Sequence, residues 1–153
     1  MPALRRRWRA SSLKSSPRSL NSWPALCFLA EAHTKVGHLQ QGQECLVEAA
    51  QLIEMTQERF GEAELHRLRG DMMNAQGDQA SAGQNYLRAL AVAERQSART
   101  FGLRAATSLA RLWRDQGKCT EARDLLALGY GWFAEGFDTP LLRDAKAMLE
   151  ELA

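Results

Sequence analysis

The sequence predicts an all-α fold: a right-handed α–α superhelix of about three helical hairpins, closed by a C-terminal capping helix. Three observations predict it. Glycine recurs at a fixed interval, with Gly37, Gly77 and Gly117 forty residues apart in the polar turns KVGHL, AQGDQ and DQGKC. Side-chain size repeats around each of them. Seven residues before stands a small residue (Ala30, Gly70, Ala110), nine after a large one (Leu46, Tyr86, Leu126), and twelve after a small one again (Ala49, Ala89, Gly129). Such alternation lets helices approach at one level and interdigitate at the next. Finally, strings of β-branched residues are almost absent, and the 11 glycines and 4 prolines fall mostly between periodic segments.

The expected helices run 24–36, 39–58, 61–76, 79–97, 101–116, 119–135 and 140–152. The first contains the apolar run 25–30 and ends at Gly37, which tolerates the left-handed conformation common just past a helix end. The second carries Leu46 and Ala49. The third has Leu65, Leu68, Met72 and Met73 before Gly77, and the fourth has Ala82, Tyr86, Ala89, Leu90 and Ala93 after it. In the fifth, Ala105, Ala106, Leu109, Ala110, Leu112 and Trp113 recur every three or four residues as one apolar stripe. The sixth starts near Cys119 and carries Ala122, Leu125, Leu126, Trp132 and Phe133. The seventh opens with Thr139 at the N-cap and Pro140 at the first helical position, where its missing N–H costs nothing. Its Leu141, Leu142, Ala145, Met148, Leu149 and Leu152 share a face. The domain division is a basic leader, 1–22, and a repeat domain, 23–153, with repeats at 24–58, 61–97 and 101–135 and a cap at 139–152. A stack usually ends in a cap with a polar outer face. The C-terminus has a candidate and the N-terminus has none, so the chain is expected to be the end of something longer.

Charge is uneven. The formal net charge of +2 over 153 residues combines a leader in which 1–20 hold six basic residues and no acid with a remainder of 14 basic and 18 acidic groups, or −4. The Arg- and Ser-rich leader is expected to be disordered. An alternative is an arm for nucleic acid or an acidic partner, with arginines for phosphates and Trp8 for stacking. Three cysteines without a CxxC pair point to neither a disulfide framework nor a zinc site, and fit a reducing cytoplasm. No apolar run approaches the roughly 20 residues that span a bilayer.

The pattern of small residue, glycine turn, then small, large and small residues resembles the tetratricopeptide repeat, lengthened from 34 to 40 residues. The segments AELHRLRGDMM (63–73), LRAATSLARLWRDQGK (103–118) and YGWFAEGFDTPLLRDAKAMLEEL (130–152) look like the C-terminal helical repeats of bacterial signalling ATPases. Those proteins carry an N-terminal class III adenylate or guanylate cyclase domain, or a DNA-binding regulatory domain, before an AAA-type ATPase module. The resemblance implies a segment that receives a signal or binds a partner, with the enzyme or DNA-reading part upstream. No GxxxxGK[ST] loop occurs in the chain to cradle a nucleotide.

Reactive side chains do not assemble into a centre. His33 and His38 flank a turn without a nearby carboxylate or thiolate pair, and His66 stands alone in the third helix. Cys27 and Cys45 read as small buried hydrophobes. Cys119, at a helix start, has no assigned His partner. Glu62 with Glu64, and Glu150 with Glu151, stand too close in sequence to share a helix face, and they read, with Glu31 and Glu48, as solvated surface. No catalytic, cofactor-binding or metal-ligating residue is assigned, and no cofactor is expected.

The groove is the candidate site. The first helix of each pair should turn polar positions to the concave side: Glu64, Arg67, Asp71 and Asn74 in the second unit, and Arg104, Thr107, Arg111 and Arg114 in the third. Arg67, Arg104, Arg111 and Arg114 would form a basic strip for an acidic peptide or C-terminal carboxylate, unless Asp71 and Asp115 neutralise them as ordinary surface pairs. Trp113, Tyr130, Trp132, Phe133 and Phe137 are expected in the core beneath the cap, and an exposed Trp132 or Phe137 would mark a partner site. The expected function is non-catalytic protein or peptide binding, with homo-oligomerisation through the uncapped first pair as a rival.

Overall fold

The computed structural model describes residues 22–153, so the basic leader lies outside the described residues apart from Ser22. The described chain forms seven α-helices: α1 (Trp23–Lys35), α2 (Leu39–Thr56), α3 (Glu62–Ala75), α4 (Gln79–Arg95), α5 (Arg99–Asp115), α6 (Cys119–Tyr130) and α7 (Pro140–Leu152). A 3-10 turn, Arg59–Gly61, leads into α3, and no strand occurs among the described residues.

Three hinges stand where the glycines place them. Gly37, Gly77 and Gly117 have φ of 83°, 85° and 81°. The N–H of each bonds back three residues, to Thr34, Asn74 and Arg114, while the next N–H bonds back five, to His33, Met73 and Trp113. This pair of bonds satisfies carbonyls that the helix end leaves open. The same device closes α4 at Ser97 (φ 53°), whose N–H bonds to Glu94 while that of Ala98 bonds to Ala93. Gln57 (φ 59°) ends α2. Left-handed residues therefore stand at 37, 57, 77, 97 and 117, a step of twenty.

The nine repeat positions are all buried. Ala30, Ala110, Leu46, Tyr86, Leu126, Ala49 and Ala89 are at most 2% exposed, and Gly70 and Gly129 are buried with them. A built Cβ on Gly70 would lie 2.5 Å from Tyr86 Cε1. The middle unit thus pairs a glycine with a tyrosine where its neighbours pair an alanine with a leucine.

Each hairpin packs on the next, and the rows differ. α1 touches α3, α3 touches α5 and α5 touches α7, whereas no comparable contact joins α2, α4 and α6. The odd-numbered helices make the continuous side of the stack. Their stacking positions also share the forty-residue register. Leu65, Leu68 and Met72 of α3 are buried, as are Ala105, Ser108 and Leu112 of α5 and Ala145, Met148 and Leu152 of α7. Met72 reaches Gly42 of α2, and Leu112 reaches Gly83 of α4, so these triads face the preceding hairpin. The capping helix is therefore in phase with the repeats.

One boundary differs from expectation by more than two residues: α6 ends at Tyr130 rather than continuing to 135. Gly129 and Gly131 flank the last residue, and glycine costs a helix about 1 kcal/mol relative to alanine. Trp132 and Phe133 then take bonds three residues back, to Gly129 and Tyr130, and Gly136 (φ 78°) turns the chain toward α7. Thr139 occupies the N-cap position, but its hydroxyl donates to the Gly136 carbonyl (2.7 Å) and makes no cap bond.

Candidate functional site

The face of the odd-numbered helices carries a charge cluster rather than an open basic strip. Arg67 enters it from α3, where its guanidinium is 6% exposed. Nε and Nη2 donate to the two oxygens of Glu64 at 3.0 and 2.7 Å, one helical turn earlier. Nη1 donates to Asp71 Oδ2 at 2.8 Å, one turn later. Glu31 of α1 stands 3.7 Å from Nη2. Arg104 of α5 closes the cluster, with Nη2 3.0 Å from Glu64 and 3.5 Å from Glu31. From α4, the Tyr86 hydroxyl donates to Asp71 Oδ1 at 2.6 Å. Three carboxylates and two guanidiniums from three stacked helices give a formal −1. A carboxylate as enclosed as Glu64 persists only where it is paired and hydrogen-bonded in this way.

The environment sets the ionisation of each member. Burial opposes the charge on Arg67, but its hydrogen bonds to Glu64 and the fields of Glu64, Asp71 and Glu31 outweigh it and raise its pKa. Burial holds the Asp71 carboxyl above the usual range despite Arg67 and Tyr86. Burial, and then the charge of Asp71, raises the Tyr86 hydroxyl. Cys27, whose thiol lies in the α1 core beside this cluster, is pushed up to about 12 by burial and then by Glu64, so it stays a protonated thiol at neutral pH.

The expected strip is therefore corrected at its first members. Arg67 is enclosed, because Glu64 and Asp71 sit one turn to either side of it and Glu31 arrives from the neighbouring helix. Arg104 is spent on Glu31 and Glu64, and its Nε is buried without an acceptor among the described residues. Arg114 binds Glu151 of α7 at 3.0 Å and the adjacent Asp115 at 3.1 Å, which pins the cap helix. Neutralisation by carboxylates thus accounts for three of the four arginines. Arg111 makes no ion pair among the described residues and is exposed, as is Asn74. Thr107 is buried, its hydroxyl donating to the Leu103 carbonyl at 2.8 Å.

Glu64 was expected on the surface and is 6% exposed, and Glu31 is only partly exposed. The signal for this pairing was available within α3, since Glu64, Arg67 and Asp71 are spaced three and four apart. The parts played by Glu31 and Arg104 were not, since they depend on which helices touch.

The other candidates stay apart. The rings of His33 and His38 are 5.8 Å between centroids, and no group of three or more His, Cys, Asp or Glu side chains able to hold a metal occurs among the described residues. His66 has a lowered pKa, from burial and then from Arg69 and Arg88. Cys119 is exposed and Cys45 partly so. Of the C-terminal aromatics, Trp113, Tyr130 and Phe133 pack against the core, whereas Trp132 and Phe137 are 40% and 45% exposed. Trp132 leans over Gly102 of α5, its carbonyl accepts from Arg99 at 3.3 Å, and with Leu90, Ala93 and Glu94 it lines a shallow pocket. No described helix is long and apolar enough to cross a membrane. Compared with protein-family models, with curated proteins and with solved structures, the chain gives no match.

Proposed function

We propose that the chain is a non-catalytic helical-repeat module that binds a protein or peptide segment along its odd-numbered helices, within a right-handed tetratricopeptide-like superhelix. The observation that carries this reading is the continuous row α1, α3, α5 and α7, which carries the exposed polar side chains Asn74 and Arg111 beside a floor locked by Arg67. A floor with its charges already paired orients what lies above it without needing to move. Arg111, the guanidinium not used internally, is the group for a carboxylate of the partner. The segments 63–73, 103–118 and 130–152 support kinship with the C-terminal repeats of bacterial AAA-ATPase signalling proteins, whose cyclase or ATPase activity would belong to domains upstream, and a cytoplasmic setting follows from that kinship.

The test is a degenerate peptide library presented to the wild-type chain and to Arg111→Glu. Acidic peptides should be enriched by the wild type and lost in the variant. Enrichment that ignores the charge reversal removes the proposed groove, and turnover of ATP or GTP by the isolated chain removes the non-catalytic reading. The exposed pair Trp132 and Phe137 favours a second contact point at the C-terminal end.

A further inference from the structure

The junctions between hairpins repeat as the hairpins do, and two of them carry the same opposite charges. Glu54 and Arg59 flank the turn from α2 to α3, and forty residues on Glu94 and Arg99 flank the turn from α4 to α5. The first pair is closed, with Arg59 Nη2 3.9 Å from Glu54 Oε1. The second is open. Glu94 and Arg99 make no ion pair among the described residues, and Arg99 Nη1 donates instead to the carbonyl of Trp132, beyond the end of α6.

Glu94 and Arg99 both line a cavity of about 240 Å³. Side-chain size explains the space. Where the first junction carries Gln57, Glu58 and Glu62, the second carries Ser97, Ala98 and Gly102, and these three smaller residues line the cavity. Leu90 and Ala93 complete an apolar floor. Trp132 forms a wall, its Cζ3 3.5 Å from where a Cβ on Gly102 would stand. It holds the register of Val92, which is 5% exposed, yet Trp132 itself is 40% exposed.

The lining selects a ligand chemistry. An unpaired carboxylate and a guanidinium with unused donors, set around an apolar floor, match a molecule with an ammonium group, a carboxylate and a hydrocarbon side chain. The cavity is smaller than the roughly 300–1,000 Å³ of sites for drug-sized ligands, which suits a single amino acid. An internal peptide segment lacks both terminal charges.

We propose that this cavity binds a free apolar α-amino acid, its ammonium group on Glu94, its carboxylate on Arg99 and its side chain on Leu90 and Ala93 beside Trp132. The site is separate from the groove, since Arg111 lies roughly two and a half turns further along α5 than Gly102, and neither reading rests on the other.

The test is a titration of the isotope-labelled full-length chain with L-leucine and with L-phenylalanine, followed by NMR through the backbone signals of 90–102 and the Trp132 indole N–H. At least one of the two should give saturable shifts centred on these residues. The matching amine (isoamylamine or phenethylamine) and the matching acid (isocaproate or hydrocinnamate) should each bind about tenfold more weakly, having lost one charge-assisted contact. Glu94→Gln and Arg99→Gln, both at exposed positions, should each weaken the amino acid about tenfold, while Arg59→Gln, in the closed pair, should leave it unchanged. Failure of both amino acids to saturate any signal by about 20 mM, well above the millimolar Kd expected of so small a ligand, overturns the proposal. So do shifts centred elsewhere, equal binding of the amine or the acid alone, and indifference to either charge variant.

Discussion

At the scale of single residues, the middle unit trades volume across one contact. Tyr86 occupies the site that holds leucine in the flanking units, and Gly70 yields the space its ring needs, with Ala82 O only 3.1 Å from where a Cβ would stand. Gly70→Ala should therefore destabilise the chain by about 1–3 kcal/mol, the usual range for overpacking, despite alanine's better helix propensity. Adding Tyr86→Leu recreates the Ala30–Leu46 and Ala110–Leu126 pairs. It should recover a large part of that loss, less what goes with the hydrogen bond to Asp71. Urea denaturation of both singles and the double closes the cycle, and additive effects would contradict the size exchange. The sequence made Gly70 and Tyr86 visible as members of two repeating columns. It did not show that they touch, and it gave Arg67 the look of an exposed groove residue, because burial depends on a neighbour, Glu31, 36 residues away.

At the scale of elements, every turn uses a left-handed residue, but glycine supplies it only at 37, 77, 117 and 136. The forty-residue glycine spacing was therefore legible, while the twenty-residue spacing beneath it was hidden at Gln57 and Ser97, where the side chain gives no such signal. Left-handed backbone costs an ordinary residue roughly 1–2 kcal/mol, offset in part by the extra freedom glycine loses on folding. Ser97→Gly should accordingly stabilise the chain by a net amount on the order of 0.5 kcal/mol, read as a higher midpoint of thermal or urea unfolding. A fall would mean that Ser97 contributes more than its backbone geometry. The overrun at α6 has a related origin. Residues 131–135 carry Trp132 and Phe133 at plausible helical spacing, and the periodicity outweighed two flanking glycines that in fact end the helix.

At the scale of the whole molecule, α7 completes the surface that α5 and α6 leave open. Leu142, Ala145, Met148 and Leu152 lie on Leu103, Ala106, Ala110 and Leu126, and burying a side chain such as leucine or methionine is worth about 1.5–3 kcal/mol. Truncation before Pro140 should lower the urea midpoint sharply and create binding of a hydrophobic dye, whereas an unchanged midpoint would make the cap dispensable. The all-helical architecture, the hinge positions and this cap were legible because they rest on periodicity and turn chemistry within short spans. The row of touching helices has a mechanical consequence. The even-numbered helices touch the next odd-numbered helix but make no comparable contact with one another, so bending the stack changes spacing most between them, and the line through α1, α3 and α5 acts as the neutral axis of a bent beam. The ion pairs of Arg67 and Arg104 lie on that line, where lengths change least, so bending the stack disturbs them less than the contacts of the outer helices.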